Sequence, residues 1–284
     1  MRQKRVVTIQ DISCFGKCSL TVALPVISAM GVETAIIPTA VLSTHTGGFE
    51  GFTFHDLTED IPKIENHWKK IGLEFDAVYT GYLGSIRQIE LMKSFFADFK
   101  TDNNMIIVDP AMGDNGKLYK GFTGEFALEM ANLCSYADVI VPNLTEAAFM
   151  LGEEYCCGGY DSDYTEHLLK NLAGLGADNI ILTGAADKDG RIGAAVYSGG
   201  EIYSYFTERV DGMFHGTGDI FASVCTGALV RGASIKEAAK LAVDFVYECI
   251  MATADSRKEQ WYGVRFEDCI GYLVDKTKKL KGKD

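Results

Sequence analysis

Asp138-Val-Ile-Val-Pro-Asn-Leu-Thr-Glu-Ala-Ala-Phe-Met-Leu-Gly152 reads as a strand, a sharp turn and a short helix in one continuous stretch. Residues 138–141 are almost wholly apolar, which suits a strand covered on both faces rather than a half-exposed one. Pro142 and Asn143 interrupt it, and a helix over 145–151 closes at Gly152, the residue type that ends helices most easily. The same alternation runs outward in both directions. Strands are expected over 6–10, 34–42, 76–80, 105–109 and 179–183, and helices over 20–30, 61–71, 86–99 and 163–175, with Pro62 in the first turn that proline tolerates. Two short strands, 194–197 and 201–206, flank Ser198-Gly-Gly200, a hairpin signal, and helices over 218–231, 235–253 and 266–278 follow. Alternating βα units with apolar strands predict an α/β fold. Its mostly parallel central sheet would carry helices on both faces, in three layers. No linker, repeat or low-complexity segment interrupts residues 1–284, which read as one domain. Ligands of such folds sit outside the carboxyl ends of the strands.

Composition narrows the function classes. A chain of 284 residues, 47% hydrophobic and 23% charged, can bury a substantial core. No apolar run approaches the ~20 residues needed to cross a bilayer. The basic start Met1-Arg-Gln-Lys-Arg5 leads into a short strand rather than a signal-peptide core, so a cytoplasmic protein without membrane contact is expected. A formal charge of −12 argues against a nucleic-acid partner, which needs clustered Lys and Arg. It leaves room for a nucleotide held by helix N-termini and Mg²⁺. The eight cysteines, at 14, 18, 134, 156, 157, 225, 249 and 269, form no CxxC pair and read as structural or incidental thiols. The lysine-rich tail 276–283 reads as a solvated helix end.

The strongest chemical signal is Phe214-His-Gly-Thr-Gly-Asp219, followed by the small, apolar helix Ile220-Phe-Ala-Ser-Val-Cys-Thr-Gly-Ala-Leu229. Two glycines ahead of a helix let several N–H groups converge on one point, where the helix dipole adds about half an elementary charge. An acid inside this anion hole makes sense as a proton acceptor; the plain alternative is an N-cap aspartate. Three further strand ends carry polar motifs. These are Asp109-Pro-Ala-Met-Gly-Asp114, the segment from Asn143 to Glu146, and Thr183-Gly184. Alone, each has an ordinary reading as a turn or an N-cap pair.

Together, in this order, they resemble the signature of the ribokinase superfamily. Gly216, Thr217, Gly218 and Asp219 match its anion hole and base, and a ribokinase-like three-layer sandwich is the implied fold. The resemblance implies that Asp109, Asp114, Asn143 and Glu146 attend the phosphates of ATP. Asp109, Asp114 and Glu146 would hold Mg²⁺ directly or through water, and Thr183, Gly184, Gly216 and Gly218 would touch the nucleotide. It also raises a monovalent cation such as K⁺ as a cofactor.

The N-terminal half is similar to the vitamin B6 kinases. The likeness rests on Gln10-Asp11, Ser43-Thr-His-Thr-Gly47 and Thr80-Gly-Tyr-Leu-Gly-Ser85. That likeness implies phosphorylation of the 5′-hydroxymethyl of pyridoxal, pyridoxine or pyridoxamine in vitamin B6 salvage, by a homodimer. Tyr82 and Leu42 would flank the pyridine ring, His45 and Thr46 would line the pocket, and Asp11 would meet the ring's polar edge. The family carries Ser where this chain has Asp11, and a carboxylate there could pair with a pyridinium or an amine. A preference for pyridoxamine or pyridoxine over pyridoxal is therefore expected. The segments 45–54 and 114–121 are Gly-containing loops suited to closing over a site. His215 packs under the anion loop in this reading, and Trp68 and Trp261 read as core. The alternatives are a hydroxymethylpyrimidine kinase, a sugar kinase of the same superfamily, and a non-catalytic vitamer-binding protein.

Overall fold

The structure, a computed structural model, describes residues 2–156 and 162–280. Cys157 and the last residues of the lysine tail, 281–284, lie outside the described residues. In chain order the elements are β1 (Arg5–Ser13), α1 (Leu20–Ala29), β2 (Glu33–Leu42), β3 (Phe54–Asp56), α2 (Ile61–Lys70) and β4 (Ala77–Thr80). Next come α3 (Ile86–Phe99), β5 (Met105–Val108), β6 (Gly113–Asp114), β7 (Lys117–Leu118), α4 (Gly124–Cys134), β8 (Val139–Ile140) and α5 (Leu144–Leu151). The chain continues with α6 (Ser162–Ala173), β9 (Asn179–Ala186), β10 (Ile192–Ser198) and β11 (Glu201–Thr207). It ends with α7 (Thr217–Val230), α8 (Ile235–Ala254) and α9 (Phe266–Thr277). Among the described residues no helix is long and apolar enough to cross a membrane.

These elements form two compact units, Met1–Tyr79 with Val210–Asp284, and Thr80–Arg209. The boundaries fall inside β4 and after β11 rather than at a Pro- or Gly-rich linker. In the first unit the strand order is β4-β1-β2-β3. β1 and β2 run parallel from Arg5↔Glu33 to Ser13↔Leu42, with a register shift between Gln10 and Ile12. β1 is buried along most of its length, with Val6, Val7 and Ile9 fully enclosed, as its unbroken apolar run requires. α1 packs on this sheet and on α7, and α7 packs on α8.

One acid ties the start of the chain to this unit. Asp76 accepts the Arg5 N–H at 2.8 Å, Arg2 Nη1 at 2.9 Å and Lys4 Nζ at 3.0 Å. Burial alone would raise its carboxyl, but the Arg5 N–H and the Lys4 and Arg2 cations outweigh it and hold the pKa below the ordinary aspartate value. A lowered pKa contributes stability above the ordinary value, and that contribution is lost as pH falls through the lowered one. Asp76→Asn is expected to cost about 1 kcal/mol near neutral pH, with the deficit shrinking towards pH ~3; urea unfolding at both pH values measures it.

In the second unit β5, β8 and β9 run parallel, and β10 and β11 add antiparallel strands at one edge. Here the structure adds elements beyond those expected from the sequence. Residues 114–121, expected as a loop, contain the β6–β7 hairpin, turned by Asn115 (φ 51°) and Gly116 (φ 74°). Two consecutive positive φ values are the type I′ geometry that Asn-Gly favours. α4 starts at Gly124, and the Thr123 hydroxyl accepts the Phe126 N–H. In the first unit β3 was likewise not expected: its three residues are exposed and carry no apolar pattern.

Candidate active site

Asp219 lies in the first turn of α7, whose N-cap is Gly216 at φ 80° with no side-chain cap. The opening N–H groups of any helix lack intrahelical acceptors, so an uncapped start leaves them for an anion. Gly216 is forced by geometry as well as by φ, because a Cβ there would stand 1.9 Å from the Lys17 carbonyl oxygen. At Gly218 a Cβ would meet nothing within 4 Å, which leaves space beside the turn. Asp219 stays partly exposed, so a ligand can reach it. Enclosure by protein, followed by the charge of Asp11, pushes its carboxyl up to about 7 against hydrogen bonds from the Ser19 N–H and the Cys18 thiol.

The segment that supplies those donors was not singled out in the sequence. Ile12 and Ser19 form an antiparallel bridge, so the chain after β1 doubles back before α1 begins. Cys18, expected as a structural or incidental thiol, lies near Asp219, and burial followed by the charges of Asp219 and Asp11 raises its pKa. No sequence pattern links positions so far apart; the only local hint is a non-glycine at a turn as tight as Gly16-Lys-Cys-Ser19.

Asp11 is 5% exposed and held by Ser13 Oγ at 3.1 Å and by the Ser19 side chain. Burial raises its carboxyl, while those hydrogen bonds and the neighbouring His45 lower it. Leu42 is buried, and its carbonyl accepts the Cys14 N–H at 2.8 Å. Thr46 is exposed. His45 is buried, its Nδ1 accepts the Gly47 N–H at 3.1 Å and its Nε2 lies 2.9 Å from the Tyr262 carbonyl. That pairing puts the proton on Nε2 and engages both ring nitrogens within the protein. Burial lowers its pKa, with the Tyr262 carbonyl and Asp11 opposing.

Around His45 lies an aromatic cluster. Its ring is 5.2 Å from His215 and 4.9 Å from Phe49, and Phe49 is 4.5 Å from Trp261. His215 therefore packs against the His45 ring. Trp261 does not belong to the core: it is 39% exposed and lies tilted against a loop ring. Gly48 allows this approach, because a Cβ there would stand 2.9 Å from the Trp261 ring.

The second unit gathers the other set of motifs. Asn143 caps α5, accepting the Glu146 N–H at 2.9 Å, while Glu146 Oε2 accepts the Asn143 N–H at 2.8 Å. The plain capping-box reading is thus true, but both residues do more. Glu146 Oε1 accepts the Met112 N–H at 3.2 Å, and Asn143 Nδ2 donates to the Gly113 carbonyl at 2.9 Å. Thr145 Oγ1 accepts the Gly116 N–H at 2.9 Å. The segment between Asp109 and Asp114 is thereby docked on a helix start. Burial pushes the Glu146 carboxyl up to about 8 against these backbone donors. Asp109 is buried and Asp114 exposed. Thr183 joins the same edge, its N–H donating to the Pro142 carbonyl at 2.8 Å, and Gly184 follows at φ 76°. Tyr82 also lies in this unit, 5.5 Å from Phe122, which stacks on Phe126 at 4.0 Å.

Among the described residues no group of three or more His, Cys, Asp or Glu could hold a metal alone. A few carboxylates at a helix start instead fit Mg²⁺, which is usually held by one or two carboxylates together with substrate phosphates and water.

A family model described as phosphomethylpyrimidine kinase matches residues 21–263. The pyridoxine/pyridoxal/pyridoxamine kinase of Bordetella avium is 25% identical over 265 residues, covering 88% of this chain and 86% of its own. The crystal structure of pyridoxal kinase from Lactobacillus plantarum is 31% identical, with a TM-score of 0.88 over 97% of this chain and 98% of that one. A Bacteroides thetaiotaomicron protein, crystallised in a form with pyridoxal, is 37% identical, with a TM-score of 0.90 over 96% of each chain. The α/β, ribokinase-like architecture expected from the sequence is borne out by these likenesses.

Proposed function

The chain belongs to the phosphomethylpyrimidine kinase family and is a kinase, and on that premise we propose that it phosphorylates the 5′-hydroxymethyl of a B6 vitamer. The observation that carries this reading is a solvent-reachable carboxyl in the first turn of a helix with no side-chain cap, and its pKa, pushed up to about 7 by enclosure, agrees with it. A general base is most effective with a pKa near the working pH. In the proposed reaction Asp219 takes the hydroxyl proton as the alcohol oxygen bonds to the γ-phosphorus. The bond from that phosphorus to the bridging oxygen breaks, ADP leaves with the electron pair, and Asp219 returns its proton to water. The N–H groups of residues 217–219 neutralise charge on the transferred group.

Asp109, Asp114, Asn143 and Glu146 are assigned to the nucleotide phosphates, with Thr183 and Gly184 beside them. Bound with ATP, Mg²⁺ would supply neutralisation of the β- and γ-phosphates, near Asp109, Asp114 and Glu146. Leu42, His45, Thr46 and Tyr82 are assigned to the vitamer ring. In this reading the chain works as one catalytic domain in a cytoplasmic homodimer, with K⁺ as a candidate activator.

The family description favours one rival, a hydroxymethylpyrimidine, which is also a hydroxymethylated heteroaromatic ring. An ADP-release panel of pyridoxal, pyridoxine, pyridoxamine, hydroxymethylpyrimidine and ribose, with and without K⁺, separates them. At least one B6 vitamer should exceed the pyrimidine by about tenfold or more in kcat/KM, the gap that about 1.4 kcal/mol of transition-state binding produces. A panel led by the pyrimidine or by ribose would overturn the vitamer assignment. Vitamer binding without turnover would favour a non-catalytic protein.

A further inference from the structure

Between α8 and α9 runs Trp261-Tyr-Gly-Val-Arg265, a segment outside every motif assigned to the site. Its backbone ties three loops of the first unit together. The Tyr262 carbonyl accepts the Lys17 N–H at 3.3 Å and faces His45 Nε2 at 2.9 Å, which uses both of its lone pairs. The Val264 N–H donates to the His215 carbonyl at 3.3 Å, and the His45 N–H donates to the Phe15 carbonyl at 3.3 Å. The Arg265 N–H donates to Thr253 Oγ1 at 2.9 Å, which fixes the segment to the end of α8. Lys17 stands where these ties meet. Its carbonyl oxygen lies against Gly216 at the start of α7, where a Cβ would stand 1.9 Å away. Its stem crosses Gly263, where a Cβ would stand 2.4 Å from the Lys17 Cβ. Its ammonium lies 5.5 Å from the Phe266 ring centroid and ends on Glu267 Oε2 at 2.6 Å, in the first turn of α9. Ordering a lysine side chain costs entropy, yet this one is only 17% exposed. Its carboxylate partner is 55% exposed, so the pair adds little to stability, and what it gains lies in what it places.

We infer that Lys17 is a positioning residue for the anion loop: fastened to Glu267, it holds the 14–19 turn against Gly216 and so sets where the open N–H groups of α7 point. The role rests on the kinase reading and deepens it, since those N–H groups are the ones assigned to the transferred phosphoryl group. A lysine beside an anion loop could instead touch a phosphate directly, and Glu267 separates the two roles. Neutralising Glu267 slackens a tie, but it releases a lysine that binds phosphate by itself.

The test measures kcat, and KM for ATP and for the best vitamer, in wild type, K17M, E267Q, the double variant K17M/E267Q and K17R. Melting temperatures and amide hydrogen exchange of residues 214–219 are recorded on the same proteins. K17M and E267Q should each lower kcat about tenfold with both KM values within about twofold, because the donors are misplaced while substrate contacts remain. The double variant should match either single within about twofold, as two residues that form one tie do. K17R keeps the cation and should retain at least about a third of the wild-type rate. Melting temperatures should agree within about 3 °C, as for an exposed ion pair, so that lost activity is not lost fold. Exchange across 214–219 should quicken about fivefold in K17M and in E267Q. An E267Q enzyme as active as wild type, or faster, overturns the proposal and would make Lys17 a phosphate contact. A double variant whose loss is the product of the two single losses overturns it as well. If wild type turns over no vitamer, the kinase reading fails by itself; unchanged exchange of 214–219 in the variants then overturns the tie, and quickened exchange upholds it.

Discussion

Replacing Asp219 with Asn should lower kcat by about 10²–10⁴ while leaving the KM for ATP within about twofold, because the loss is that of a general base and not of a phosphate contact. The wild-type rate should rise with pH through about 7, since in the proposed mechanism the active form is the carboxylate and its pKa stands near there. That rise should vanish in the variant. A second consequence follows from linkage. A carboxyl with a raised folded pKa favours the native state only while protonated, so its contribution is present below the ordinary aspartate value and is lost as pH rises through about 7. Above that point wild type holds a charge in poor surroundings. The Asn variant should then be more stable by roughly 1–3 kcal/mol at pH ~8 and about equal at pH ~4. Equilibrium unfolding at the two pH values, beside an ADP-release assay, checks both halves. Near-normal turnover would remove Asp219 from the mechanism.

Gly216→Ala should be the most damaging single-methyl change in the anion loop. The new Cβ would have to stand 1.9 Å from the Lys17 carbonyl oxygen, on a residue at φ 80°. Neither partner is a flexible side-chain end, so the backbone must move, and the loop carrying Cys18 and Ser19 moves with it. A stability loss of about 2–4 kcal/mol is expected from the combined clash and left-handed strain. A kcat loss of about a hundredfold or more should accompany it, because the N–H groups and the acid lose their common geometry. Gly218→Ala is the control for folding. Its Cβ would meet no atom within 4 Å, and a helix prefers alanine, so its melting temperature should not fall by more than about 2 °C. Equal melting temperatures for the two variants would show that the 216–217 turn can relax around the added methyl.

Much of the fold was legible because its strands are near-continuous apolar runs and its helices have clean ends. The helix expected over 86–99 is α3 to the residue, and Ser85 caps it by accepting the Gln88 N–H. The misses have physical reasons. α4 begins with Gly124 after Gly121-Phe-Thr123, which looks like a turn, and only the Thr123 cap marks it. β3 exposes all three of its residues and is held by pairing with β2, which no local pattern reveals. The Asn115-Gly116 hairpin did carry its signal, two residues favourable to positive φ. For the site, residues at strand ends were legible because topology places them. The approach of the Cys18–Ser19 segment to Asp219 was not, because the two chain segments meet only after folding.

From Ile220 to Val230 every residue of α7 is buried, and most are Ala, Ser, Cys, Thr, Gly or Val. A helix with no outward face offers drift nowhere to settle: a larger side chain at almost any of these positions must displace a neighbour such as Met30, whose sulfur lies 2.5 Å from where a Cβ on Gly227 would be. Lineages descended from this chain should therefore keep the rod behind the base nearly fixed. They should acquire new acceptor alcohols by rewriting the exposed loops around Phe15, Thr46 and Trp261 instead.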